Sequence, residues 1–160
     1  MTATPTIYAE RSVALTRVLK APRALVWQAW TDPEMLKEWW GPEQFTTPVI
    51  EGNIQVGSVL KIVMHGPKGS PFDMDMPMVK RYREIVPGRK LVFENEPVGP
   101  NGEKLLDGLT TVTFSDHPEG TLMEMTTSAK ALVPMAVGML QGMDQGWGQS
   151  FDKLGRLLAK

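Results

Sequence analysis

The sequence predicts an α+β fold in which one antiparallel sheet packs against a long C-terminal helix. Alternating apolar and polar residues, typical of strands, dominate the stretch from Gln44 to Leu132. Two short helical patterns precede it, and residues 134–160 carry a helical apolar stripe. Helices segregated from a run of strands are typical of the α+β class. The last helix is the only predicted element large enough to cover one face of such a sheet.

The C-terminal segment has the clearest periodicity. Met135, Met139, Met143, Trp147 and Phe151 recur every four residues. On a helix they occupy one apolar arc of roughly 120–160°. Pro134 suits the first helical turn, where its missing N–H is not needed. We expect one amphipathic helix, about 37 Å long if it is continuous.

Glycines within this segment oppose helix formation. Each costs about 1 kcal/mol relative to alanine in a helix interior. Gly138, Gly142 and Gly146 also form a ladder at a spacing of four residues, which allows a ligand or another surface to come close. The alternative is a tolerant surface helix with a kink near residues 142–148. Both interpretations remain open at the level of sequence.

The remaining elements follow in order along the chain. Residues 8–19 alternate as a first strand, and Pro22 opens a short helix. Asp32–Pro33–Glu34 predicts a second short helix, since it combines an aspartate N-cap, a proline in the first turn and an early acid. Gly41–Pro42 ends that helix. The expected strands that follow are 45–51, 57–65, 72–86 with a bulge at Pro77, 90–94, 109–114 and 122–132.

Composition limits the classes of function. At 160 residues, a single domain spanning 1–160 is expected, with residues 1–7 frayed. The net charge of −1 and the scattered basic residues argue against nucleic-acid binding. There is no cysteine, no run of about 20 apolar residues that would span a membrane, and no secretion signal. We therefore expect a cytoplasmic protein without a membrane partner. Eleven methionines suit an adaptable apolar site.

An ordered set of motifs resembles a known superfamily. The first part runs from Ala21–Pro22 through Ala29–Trp30 to Asp32–Pro33–Glu34 and Trp39–Trp40–Gly41–Pro42. The second is 83–87, REIVP, followed by 91–93, LVF; the third is 109–114, LTTVTF, with Gly146–Trp147 leading to Leu154. Over residues 11–158 the chain resembles the SRPBCC superfamily. Within that superfamily it is similar to proteins related to the C-terminal domain of the activator of the heat-shock-protein-90 ATPase.

The resemblance implies a START-like, helix-grip fold. In that fold a seven-stranded antiparallel sheet, with two short helices, grips one long C-terminal helix around a cavity. Members bind lipids, sterols, polyketides and other apolar molecules, and some are cyclases or hydrolases. The resemblance therefore implies an apolar small molecule or lipid as the ligand.

Strand parity and the helical stripe select the candidate ligand-binding side chains. As a group, these apolar and methionine-rich positions favour a cavity, although any one of them could simply fill the core. Trp40 could frame the entrance, while at least one of Trp39 and Trp40 is expected to pack the short helices with its N–H bonded to backbone. The candidates are Trp40, Ile62, Met64, Met76, Met78, Phe93, Phe114, Met123, Met125, Met139, Met143 and Trp147. The same parity places Leu60, Met74, Leu91 and Val112 inward.

No catalytic constellation emerges from the sequence. His65 and His117 have no motif-level serine or acid partner, so we assign no catalytic residue, no metal site and no cofactor. Asp73 and Asp75 fit a solvated strand edge. The favoured function is binding of an apolar ligand between sheet and helix.

Other functions and an assembly remain open. One alternative is an enzyme resembling a polyketide cyclase or a hydrolase, with Glu84, Glu124, Tyr82 or His65 as its acid or base. The other is a chaperone ATPase co-activator, on resemblance alone. A homodimer through an edge strand or the glycine ladder is also considered.

Overall fold

The computed structural model describes residues 6–160. Fraying is expected for residues 1–7, and residues 1–5 of that segment lie outside the described residues. Within this range one antiparallel sheet of seven strands has the order β1-β7-β6-β5-β4-β3-β2. The strands are β1 (Ala9–Leu19), β2 (Thr46–Gly52), β3 (Val59–His65), β4 (Asp75–Val86), β5 (Lys90–Pro97), β6 (Leu106–His117) and β7 (Gly120–Ala131). The helices are α1 (Arg23–Thr31), α2 (Pro33–Trp39), α3 (Val137–Gln141) and α4 (Met143–Leu158), with a 3-10 turn at Pro134–Ala136. The predicted α+β helix-grip architecture is confirmed.

The connection between the two edge strands explains the position of the short helices. β1 pairs with β7 along its whole length, and β2 lies at the opposite edge of the sheet. Helices α1 and α2 join these edges. The predicted restart between them is confirmed: Asp32 Oδ1 accepts a hydrogen bond of 3.0 Å from the Glu34 N–H, and Pro33 begins α2.

The core lies between the helices and one face of the sheet. Alternation along the strands turns every second side chain inward, as in β7, where Met123 and Met125 are buried while Glu124 is exposed. Phe151 and Leu154 of α4 are fully buried against this face. Helix α4 therefore covers the sheet as the sequence predicts.

The predicted long C-terminal helix is confirmed as α4, but the segment from residue 134 onward is not continuous, and the alternative of a kink is confirmed. Gly142, at φ −94° and ψ 2°, separates α3 from α4. Helix α4 has 16 residues and is about 24 Å long. Apart from its chain neighbours and its own helix, a Cβ at Gly138 or Gly142 would meet no atom of residues 6–160 within 4 Å, so no other described element packs closely there. A glycine in a helix interior destabilises the helix unless packing compensates for it. The helix breaks at Gly142, where the described chain supplies no such packing.

Two details of β4 differ from the prediction. Pro77 pairs with Val63 in unbroken register, so the expected bulge at Pro77 is wrong. The irregularity instead falls between Tyr82 and Glu84. Met74 precedes the strand and is 52% exposed, so it does not face inward. The chain before Asp75 is still part of the turn that follows β3.

Candidate functional site

A cavity of about 240 Å³ lies between the inner face of the sheet and the C-terminal helices. The loop after α2 and helices α3 and α4 form one wall, and strands β3 to β7 form the floor. Its surface is mostly apolar, with a few polar side chains. The lining residues are Trp40, Gly41, Pro42, Met64, Met78, Asn95, Pro97, Leu106, Gly108, Thr127, Ala129, Met139, Met143, Gly146, Trp147 and Ser150.

The structure divides the predicted ligand-binding residues into three groups. One half lines the cavity: Trp40, Met64, Met78, Met139, Met143 and Trp147. A second group is buried in the packed core on the same face of the sheet: Ile62, Phe93, Phe114, Met123 and Met125. Met76 is partly buried and lies outside the cavity lining.

Aromatic packing explains this division. The indole of Trp30 lies 4.7 Å from that of Trp39 and about 6 Å from the rings of Phe93, Phe114 and Phe151, between ring centroids. This cluster fills the part of the grip that lies under α1 and α2. The cavity is confined to the part under α3 and the first half of α4. Strand parity cannot distinguish these two regions, because both face inward.

The two neighbouring tryptophans have different roles. Trp39 is fully buried, and its Nε1–H donates a 2.9 Å hydrogen bond to the Ala29 carbonyl, which ties α2 to α1. Trp40 lines the cavity and meets Trp147 edge to face, at 5.3 Å between ring centroids. The expected structural role therefore falls to Trp39, and Trp40 is the residue at the cavity wall.

A set of hydrogen bonds holds the loop after α2 against α4. The ammonium of Lys153 donates to the carbonyls of Gly41 and Phe45, at 3.2 Å each. The Glu43 N–H donates to Gln149 Oε1 at 3.1 Å. Partial burial lowers the pKa of Lys153. These bonds fix the wall of the cavity that carries Trp40 and Pro42.

Polar side chains line part of the cavity floor. Thr110 Oγ1 donates to Asn95 Oδ1 at 2.9 Å and lies 2.7 Å from Thr127 Oγ1. Asn95 and Thr127 both line the cavity. A few polar groups within an apolar wall are typical of small-molecule sites, where they orient the ligand. The sequence analysis did not identify these residues.

Lys80, also missed at the level of sequence, is fully buried beside the cavity. Its Nζ has no hydrogen-bond partner among the described residues. Four aromatic rings surround it: Nζ lies 3.9 Å from the ring centroid of Phe93, 4.2 Å from Trp40, 5.4 Å from Tyr82 and 5.7 Å from Trp30. Desolvation by burial lowers the pKa of Lys80 well below its ordinary value.

Two more unpartnered polar groups accompany this lysine. Trp30 Nε1 and the Tyr82 hydroxyl are buried without a hydrogen-bond partner in the part of the chain that the structure describes. Burial raises the pKa of Tyr82. Buried polar groups are nearly always hydrogen-bonded in folded proteins, so a lysine with these two rings within 5.7 Å of its Nζ marks an unusual region. Inward parity along Met78, Lys80 and Tyr82 is the pattern that could have found Lys80 and Tyr82, whereas Trp30 lies on α1.

His65 has acidic partners that the motif search did not detect. Its Nδ1 lies 2.8 Å from Asp75 Oδ1, and its Nε2 lies 2.8 Å from Asp73 Oδ1. The hydrogen bonds to Asp75 and Asp73 raise the pKa of His65. Asp73 is therefore not simply a solvated edge residue, since its carboxylate also accepts the Gly69 N–H at 3.0 Å. The cluster is exposed and is held together across the β3–β4 turn.

The other acids considered from the sequence face away from the cavity. Glu84 pairs with Lys90 at 3.3 Å on the surface, and Glu124 is exposed. Among residues 6–160, no group of three or more histidine, cysteine or acidic side chains is arranged to hold a metal ion. No helix over the same range is long and apolar enough to cross a membrane.

A larger depression of about 560 Å³ lies on the outer face of the sheet. Its walls carry mostly charged and hydroxyl side chains, among them Glu10, Asp107 and Lys130, and the Arg83–Glu94 ion pair of 3.3 Å. Such groups are well hydrated and offer little apolar surface to a ligand. The inner cavity is the better candidate because its wall is apolar and its few polar groups converge on one floor.

The fold and the cavity define the class of protein. A curved antiparallel sheet that grips a C-terminal helix, with two short helices between its edge strands, is the helix-grip architecture of the SRPBCC superfamily. A family model described as "Activator of Hsp90 ATPase homolog 1-like protein" matches residues 20–159. The chain belongs to this family.

Solved structures of bacterial proteins share the fold. A protein from Chromobacterium violaceum is similar at 25% identity and a TM-score of 0.79, covering 93% of this chain and 97% of that one. A protein from Rhizobium leguminosarum has 23% identity and a TM-score of 0.76, covering 94% and 95%. The AHSA1 protein from Silicibacter pomeroyi has 18% identity and a TM-score of 0.70, covering 93% and 98%. No curated protein matches the sequence.

Proposed function

We propose that this protein binds a small apolar molecule in the cavity between its sheet and helices α3 and α4. The observation that carries the proposal is the cavity itself, about 240 Å³ in volume and walled by two tryptophans and four methionines. Methionine adapts its shape to a ligand, and tryptophan offers a flat apolar face. Removal of apolar surface from water, at about 25 cal/mol per Å², supplies the binding free energy.

Volume limits the ligand. Drug-sized sites measure about 300–1,000 Å³, and an apolar cavity of about 150 Å³ holds benzene. A cavity of about 240 Å³ therefore favours a one- or two-ring aromatic compound or a short aliphatic chain over a sterol. Asn95 and Thr127 on the floor provide hydrogen bonds to a single polar group of such a ligand.

Methyl NMR of methionine tests the proposal with internal controls. Naphthalene and hexanoic acid are titrated into protein labelled at the methionine methyl groups. We expect saturable shifts at Met64, Met78 and Met143, because they line the cavity, and none at the exposed Met74 and Met135. Equal shifts at all methionines, or no saturable shift with any probe, would contradict the proposal.

A pair of variants tests the location. Met143→Trp places a larger ring in the cavity wall, whereas Met135→Trp adds the same ring at a site that is 70% exposed and outside the lining. We expect the first substitution to weaken naphthalene binding at least tenfold and the second to leave it unchanged. If both variants bind as the wild type does, the ligand is not held in this cavity.

The family match supports a second candidate, stimulation of a chaperone ATPase. A direct test adds the purified protein to an Hsp90-type chaperone and measures ATP hydrolysis. Stimulation that persists in Met143→Trp would place this activity outside the cavity. An unchanged ATPase rate at saturating protein would exclude this candidate.

A further inference from the structure

Lys80 has the surroundings of a nucleophilic amine. It is fully buried, and desolvation by that burial lowers its pKa, with no contribution from a carboxylate of the described chain. Nearby aromatic rings give some compensation to a cation but do not hydrogen-bond to it. A lysine desolvated in an apolar pocket is deprotonated more readily and then attacks carbonyl carbons. Surface lysines, by contrast, are almost fully protonated at neutral pH.

The position of Lys80 links it to the cavity. On β4 it lies between Met78, which lines the cavity, and the buried Tyr82. Its register partner on β5 is Asn95, which also lines the cavity. Of the four rings around Nζ, only that of Trp40 belongs to the cavity wall. Trp40 is thus the cavity-lining ring that lies against the amine, at 4.2 Å from Nζ to the ring centroid, and contact between the amine and a ligand requires this indole to move aside.

We propose that Lys80 is the reactive group of this cavity and forms a reversible imine with a small apolar aldehyde. The inference rests on the proposed ligand binding. Nζ attacks the aldehyde carbon, and one N–H proton passes to the carbonyl oxygen to give a carbinolamine. The hydroxyl then leaves with the second N–H proton as water, and the C=N bond forms. The reaction releases one water and requires no oxidant, reductant or metal.

The structure favours an aldehyde over a carboxylic acid as the partner of Lys80. Binding an acid would create a charge pair inside a box of four aromatic rings, without further hydrogen bonds to the pair. Desolvation of both ions opposes such a pair. An imine is neutral when deprotonated and adds no charge. The apolar walls suit the alkyl or aryl part of the aldehyde.

Reductive trapping tests the proposal. The protein is incubated at pH 7.5 with hexanal and cyanoborohydride. Cyanoborohydride transfers hydride to the imine once the imine has taken a proton from the buffer, which gives a stable secondary amine, and the modified lysines are mapped by mass spectrometry. We expect Lys80 to be alkylated at least tenfold faster than the exposed Lys61. Lys80→Met should remove that product and leave the labelling of Lys61 unchanged. Equal rates at the two lysines would overturn the proposal.

Two further experiments distinguish imine formation at Lys80 from ligand binding in the cavity. Naphthalene, as a cavity competitor, should slow the trapping at Lys80 but not at Lys61. Trp40→Ala, which removes the cavity-lining ring next to the amine, should speed the trapping several-fold, and an unchanged rate would contradict the proposed access from the cavity. If naphthalene shifts the cavity methionines but hexanal never labels Lys80, the imine is refuted and ligand binding stands. If Lys80 is trapped at a rate that naphthalene does not change, the amine reacts independently of the cavity and the proposal fails.

Discussion

Replacing Lys80 by methionine should stabilise the protein, and by an amount that depends on pH. The two side chains have similar length, and methionine fits an apolar site without a polar atom that needs a partner. Over residues 6–160 the native amine has no hydrogen-bond partner, and leaving such a group unsatisfied costs about 1–3 kcal/mol. That part of the gain is independent of pH.

The second part of the stability gain depends on pH, because Lys80 binds a proton more readily in the unfolded chain than in the native protein. The pKa of Lys80 is lowered by burial, so the unfolded chain binds one proton more than the native protein does between the native pKa and about 10.4. In that window wild-type stability rises with pH by up to about 1.4 kcal/mol per unit relative to Lys80→Met. The advantage of the variant should therefore shrink from pH 7 to pH 9, by at most roughly 3 kcal/mol, which is the limit for one proton over two pH units.

Urea unfolding followed by tryptophan fluorescence measures both quantities. Wild type, Lys80→Met and Lys61→Met are compared at pH 7, 8 and 9, and the free energies of unfolding are subtracted at each pH. Other titrating groups cancel in this difference because they are common to all three proteins. The exposed Lys61 should give a difference within about 0.5 kcal/mol at every pH. A difference between wild type and Lys80→Met that does not vary with pH would refute the argument.

Two further predictions test local features. Gly155→Ala should raise the free energy of unfolding by roughly 1 kcal/mol, because a Cβ there meets no atom within 4 Å; Gly41→Ala, at φ +98° with Met64 Sδ 3.0 Å from the new Cβ, should lower it. The raised pKa of His65 should appear above 6.5 in an NMR titration and return toward 6.5 when Asp73 and Asp75 are both changed to asparagine. The stability that this raised pKa contributes is present below about pH 6.5 and is lost as the pH rises through the native pKa; an unchanged pKa in the double variant would contradict the assignment.

Periodicity determined most of the fold. The alternation of strands and the stripe from Met135 to Phe151 predicted the sheet and the covering helix. Local chemistry predicted the start of α2 because aspartate, proline and an early acid act within one turn. The break at Gly142 was present in the sequence as an unfavourable glycine content, but its location depends on which glycines gain packing in the folded chain.

The boundary between core and cavity could not be predicted from the same pattern. Inward parity treats Met78 and Met125 alike, yet the first lines the cavity and the second is packed in the core. What separates them is the aromatic cluster around Trp30, which depends on how α1 lies across the sheet. The partners of His65 were missed for a similar reason, because they meet it across a turn.

At Lys80 the apolar packing that the fold favours conflicts with the polar amine that the sequence places there. The strand around it supplies apolar inward residues, and any of them would pack more favourably among the four aromatic rings. Conflicts of this kind are expected at functional sites, where a fold tolerates a loss of stability for chemistry that an apolar residue lacks. Two independent measurements bear on this lysine, the pH-dependent stability and the trapping of hexanal. A stabilising Lys80→Met substitution, together with trapping at wild-type Lys80 that is faster than at Lys61 and is slowed by naphthalene, would support a functional role for the buried amine.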